Sequence, residues 1–179
     1  MDELFGLPAH PLVVHGAVVL VPLAAIGVVL IAFWPAARAK LGLAVVAIAL
    51  AGTVMAFLAA ESGEALEDSV RETELVEEHA ELGDSGLASA AAVLVGALGV
   101  IGLGMYERRR ANSDPAEPAT ESSSSGPSNR SRQMTGLSIG VGVVAVVLAS
   151  LGTFQIAKIG HSGAKATWET VEVDGDDDD

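Results

Sequence analysis

Few side chains in this 179-residue sequence are equipped for chemistry, and four histidines lead them: His10, His15, His79 and His161. Neutral imidazole is a common ligand for iron, copper and zinc, and two imidazoles from different helices hold a haem between them. The chain has no cysteine, so thiolate sites are excluded and any metal centre rests on histidine with carboxylate help. His15 is the leading candidate, because it lies inside an apolar segment, where an ionisable group is costly and normally has a partner. His10 is five residues away, a spacing that does not put both rings on one helical face. Other chemistries lack their residues: there is no Ser-His-Asp spacing, phosphate loop or zinc-hydrolase motif, so the sequence leans away from an enzyme.

The elements that must position these histidines are apolar blocks. Half of all residues are hydrophobic while the formal net charge is −13, which requires oil and charge to be segregated along the chain. Uncharged blocks run from Leu12 to Trp34, Leu41 to Ala60, Leu87 to Met105 and Leu137 to Ile156. A helix rises about 1.5 Å per residue, so roughly 20 apolar residues cross the hydrocarbon of a bilayer. The blocks show no polar stripe such as a water-facing helix carries, so lipid and neighbouring helices are what they can contact. Met1, Asp2 and Glu3 precede the first block where a signal peptide needs positive charge, which favours a retained span. The expected fold is all-α, an integral membrane four-helix bundle, and the expected location is the cell membrane, with the lipid bilayer as the first partner. The charge balance gives no basic face for nucleic acid.

Lysine and arginine in the connections set the orientation. The connections after the first and third blocks hold Arg38, Lys40, Arg108, Arg109, Arg110, Arg130 and Arg132, against Arg71, Lys158 and Lys165 on the other side. Both termini and the loop over residues 61–86 are therefore expected outside the cytoplasm, which brings all four histidines near the outer surface. The chain divides into three spans with their acidic outer loop (1–106), a disordered cytoplasmic linker rich in serine and proline (107–135), the fourth span with an outer extension (136–168) and an acidic tail (169–179).

Within the outer loop, Leu66, Val70, Thr73, Val76, His79 and Ala80 recur at three- and four-residue intervals. This predicts a helix lying over the bundle, its carboxylates in water, ended by Gly83, Asp84, Ser85 and Gly86. Calcium-loop spacing is absent. The acid excess, with three lysines in all, resembles the surfaces of salt-adapted proteins. Gly96, Gly99, Gly102 and Gly104 in the third span and Gly136, Gly140 and Gly142 in the fourth predict close helix contact.

The opening segment Gly6-Leu7-Pro8-Ala9-His10-Pro11-Leu12-Val13-Val14-His15 resembles that of the domain-of-unknown-function 2231 family, small four-span membrane proteins of bacteria and archaea. Further matches are Glu61-Ser62-Gly63, His79 and His161-Ser162-Gly163, while Ala164 stands where the family pattern has a second glycine. The resemblance implies a four-helix membrane domain and, in some members, fusion or proximity to redox proteins. Two roles stay open. In one, His15, His79 and His161, with His10 nearby, bind haem b or a transition metal in a redox accessory. In the other, the chain is a structural or assembly subunit of a membrane complex without cofactor. A transporter or channel ranks last, since no charged residue lies in the middle of a block.

Overall fold

The computed structural model describes residues 3–4, 7–67, 73–113 and 129–175, with side chains described over 10–64, 73–113 and 136–168. A two-residue ribbon, β1 (Glu3–Leu4) with β2 (Leu7–Pro8), precedes four helices: α1 (Ala9–Phe33), α2 (Pro35–Glu67), α3 (Glu74–Ser113) and α4 (Asn129–Gly175). All four are long and apolar enough to cross a membrane.

The helix boundaries have local causes. Pro11 falls in the first turn of α1, where its missing N–H leaves no helical hydrogen bond unmade. One residue, Trp34, separates α1 from α2, and Pro35 then opens α2 with its φ already fixed for a helix. Thr73 caps α3, its hydroxyl accepting from the Val76 amide at 3.3 Å.

Contacts run round a ring, α1 to α2 to α3 to α4 and back to α1, with α1 and α3 also touching across the middle. Neighbours are antiparallel. Gly16 and Gly27 of α1 face Met55 and Val45 of α2, and Gly42 of α2 faces Ile101 of α3. Gly96 of α3 then faces Ala145 of α4, and Ala32 of α1 faces Gly142. The chain is an up-down-up-down bundle, so the starts of α1 and α3 share one end with the finishes of α2 and α4.

The burial pattern identifies the solvent. Among the described residues, ten of the eighteen buried hydrophobic side chains are alanine and none is leucine or phenylalanine, whereas Leu43 (84%), Phe154 (66%) and Ile26 (67%) are exposed. A water-soluble bundle buries its largest apolar side chains, because leaving apolar surface in water costs about 25 cal/mol per Å². In lipid that drive between helices is gone, and small residues line the seams because they let backbones approach. Among the described residues the glycine that comes closest to a neighbouring backbone is Gly152, where an added Cβ would lie 2.6 Å from the Ser89 carbonyl oxygen.

Several expectations need correction. Gly83 to Gly86 do not end a helix: α3 runs unbroken through them. Gly86 is buried against Ile159, and Ser85 donates to the Leu82 carbonyl at 2.7 Å and accepts from Gln155 at 3.1 Å. Breaker residues are tolerated in a helix when a neighbouring helix packs on them. No separate helix lies over the bundle among the described residues. The acidic segment consists of the projecting ends of α2 and α3, and 68–72 lie outside the described residues. Both edges of the linker are helical, to Ser113 and from Asn129, with 114–128 outside the described residues. Of the glycines expected at helix seams, Gly102, Gly136 and Gly140 meet nothing within 4 Å, and Gly152 makes the tight contact instead.

Candidate functional site

The bundle order brings the first turns of α1 and α3 to the end where α2 and α4 finish, and His10 and His79 are carried there. Their rings meet edge to face, with centroids 6.4 Å apart and planes at 79°. Both are half-buried, and each is held by the second helix of its own hairpin in the same way.

In the first hairpin, His10 Nδ1 lies 3.1 Å from the Ala59 carbonyl oxygen and 3.1 Å from Ser62 Oγ, while the Ser62 hydroxyl donates to the same carbonyl at 3.2 Å. In the second, His79 Nδ1 lies 3.0 Å from Ser162 Oγ, and the Ser162 hydroxyl donates to the Ile159 carbonyl at 3.0 Å. A carbonyl only accepts, so the Nδ1 of His10 carries the hydrogen and the lone pair sits on Nε2. In the second hairpin the Ser162 hydrogen is committed to Ile159, which assigns the same tautomer to His79. Gly63 and Gly163 follow the serines because the rings lie against them: an added Cβ would be 3.1 Å from His10 Cε1 and 2.8 Å from His79 Cε1.

The other two histidines point elsewhere. Five residues along a helix turn it through about 140°, so the phase that aims His10 inward leaves His15 exposed. His15 Nδ1 meets the Pro11 carbonyl of its own helix at 2.9 Å. His161 directly precedes Ser162, and one step turns the helix by about 100°, so a buried Ser162 leaves His161 exposed. The structure thus brings together His10 and His79, not the expected set of His15, His79 and His161. Among the described residues no three histidine or carboxylate side chains are placed to hold one metal ion. The two imidazoles of His10 and His79 are the ones that the bundle brings together.

The opposite end carries a different polar cluster that the sequence did not reveal. Arg38 reaches back across the Trp34 turn, Nε donating to the Ile31 carbonyl and Nη2 to the Ala32 carbonyl, each at 2.9 Å. It thereby satisfies carbonyls at the finish of α1 that have no helical partner. Its Nη1 lies 3.7 Å from Glu107 Oε2 of α3, and Ser138 of α4 donates to Glu107 Oε1 at 2.5 Å. Gly104 makes the crossing possible, since a Cβ there would come within 2.9 Å of Arg38 Cδ.

Ser62 and Ser162 were also missed as partners of the histidines. The signal available was the recurrence of Ser-Gly after the second and fourth blocks, each with a histidine at the start of the preceding helix.

Comparison with known proteins agrees with this architecture. The family model described as "Predicted membrane protein (DUF2231)" matches residues 6–173, and the chain belongs to that family. No curated protein and no solved structure matches the chain.

Proposed function

We propose that this membrane protein carries a two-imidazole centre, His10 with His79, that binds haem or a single transition-metal ion in a redox or metal-handling accessory role. The observation that supports it most is the matched pair of His–Ser contacts, which fixes both Nδ1 atoms as donors and leaves both Nε2 lone pairs for a ligand. Metal-binding histidines characteristically give their other N–H to a carbonyl or polar side chain in this way. The spacing is also suitable. With a metal–imidazole bond of about 2 Å and a ring half-width of about 1 Å, two rings on opposite sides of one ion have centroids about 6 Å apart, so from the edge-to-face arrangement one ring turns to aim its Nε2 at the ion, with little change in separation. Haem iron accepts two axial imidazoles and brings four nitrogens of its own, so two protein ligands suffice. His15 and His161 are outside this centre. The absorbance spectrum of the detergent-purified protein, with metal analysis, is the test. A Soret band or about one equivalent of metal per chain supports a bound centre, and the lack of both ends the reading.

A second role, as a structural or assembly subunit without cofactor, has its own support in the satisfied Nδ1 atoms and in the Arg38–Glu107–Ser138 contacts between helices. Polar contacts between membrane helices contribute about 1 kcal/mol or less each, enough to set helix rotation. Chemical cross-linking in membranes that recovers the chain alone, never in a larger complex, contradicts it.

In either role the histidine end faces away from the cytoplasm. Arg38, Lys40 and Arg108 to Arg110 gather at the opposite end, and such residues are retained on the cytoplasmic side. Labelling of linker residues by a membrane-impermeant reagent on intact cells contradicts that orientation.

A further inference from the structure

Between α2 and α3, at the end opposite the histidines, the surface has a groove of about 180 Å³ with two kinds of wall. Arg38 and Arg108 form its polar side, and Leu43, Ile101 and Met105 its apolar side. The two arginines differ in how far they are committed. Arg38 spends Nε and one Nη2 hydrogen on the Ile31 and Ala32 carbonyls and turns Nη1 toward Glu107. A guanidinium has five N–H donors, so hydrogens remain on it. Arg108 is exposed and has no hydrogen-bond or ion-pair partner among the described residues. Glu107, the carboxylate beside them, is occupied by Arg38 and Ser138. Lys40, Arg109 and Arg110 add positive charge at the same level.

We propose that this groove binds the phosphate headgroup of an anionic phospholipid, one per chain. Arg108 supplies the principal contacts and the free hydrogens of Arg38 add to them, while the start of an acyl chain lies along Leu43, Ile101 and Met105. Charge complementarity selects the headgroup: a guanidinium with no protein anion, at the membrane boundary, is matched by a phosphate through paired N–H donors. The adjoining side chains select a lipid over a free anion, because Leu43 is 84% exposed and beside the polar wall only a molecule with both chemistries covers both. Basic pockets between helices at this level are a recurrent way of holding anionic headgroups. This assignment is independent of the histidine centre.

Native mass spectrometry of the full-length chain, delipidated in neutral detergent and offered phosphatidylglycerol or phosphatidylcholine, tests it. One retained phosphatidylglycerol per chain is expected, with phosphatidylcholine lost under the same activation. Arg108→Gln is expected to weaken phosphatidylglycerol binding roughly fivefold, the effect of one basic residue near an anionic lipid. Arg109→Gln, whose residue does not line the groove, weakens it clearly less, and Arg108→Lys, which keeps the charge but not the paired donors, restores it only in part. Equal retention of the two lipids, or an Arg108→Gln variant that binds as the parent does, overturns the proposal. So does inorganic phosphate that displaces the lipid at equal concentration, which would make this a site for the free anion.

Discussion

The two ends of the bundle are held together on different plans. At the histidine end the hydrogen bonds of each histidine stay within its own hairpin, His10 to Ser62 between α1 and α2 and His79 to Ser162 between α3 and α4, and the two rings meet edge to face between the hairpins. At the arginine end a charged contact crosses between hairpins, Arg38 of α2 to Glu107 of α3, while Ser138 of α4 donates to the same carboxylate from within the second hairpin. One charged contact therefore ties the hairpins at the arginine end, whereas imidazole rings touch between them at the other.

Replacing either ring of the pair is expected to have the largest effect. On the proposed two-imidazole centre, His10→Ala or His79→Ala should abolish metal or haem binding, read as chromophore or metal per chain, because each would remove one of its two protein ligands. Stability should fall little in both variants, since a polar contact between membrane helices is worth about 1 kcal/mol or less. A chain that keeps its ligand without His79 breaks the comparison.

Arg38→Ala comes next and acts on the other property. It strips two helix-end carbonyls of their donor and leaves Glu107 without its cation, for a loss of about 2–3 kcal/mol measured by denaturant unfolding in detergent. The histidine centre should keep its ligand in the folded variant. If His10→Ala costs as much stability as Arg38→Ala, the two ends do not divide the work as described.

A finer prediction concerns the likeness of the hairpins. Ser62→Ala and Ser162→Ala should each reduce ligand affinity about tenfold, as loss of an orienting partner commonly does. The two losses should agree within a factor of about three, and a large inequality would mean that the matched geometry hides unequal roles. The smallest effects belong to His15→Ala and His161→Ala, both exposed, with stability unchanged within about 0.5 kcal/mol and no loss of ligand.

The number of spans was legible in the sequence because four stretches free of charge have only one stable environment. The helix ends were not. Beyond the bilayer nothing in polarity stops a helix, so α3 starts at Glu74 and passes through Gly83 to Gly86, where Gln155 and Ile159 of α4 meet Ser85 and Gly86. Within the candidate site, the sequence placed all four histidines at one end but could not choose among them. That choice depends on helix phase: His10 faces in, His15 is about 140° away, and Ser162 takes the inward position that His161 would have needed. Arg38 was legible as a topology signal, while its partner Glu107 lies sixty-nine residues away on a helix whose register only packing determines.

The most direct test uses a chain that has no native cysteine. In native membranes, the double variant His10→Cys with His79→Cys should be joined efficiently within one chain by a short bifunctional maleimide, and His15→Cys with His79→Cys should not. Equal cross-linking of the two pairs, or efficient joining of the second alone, would contradict the convergence of His10 and His79 between the hairpins.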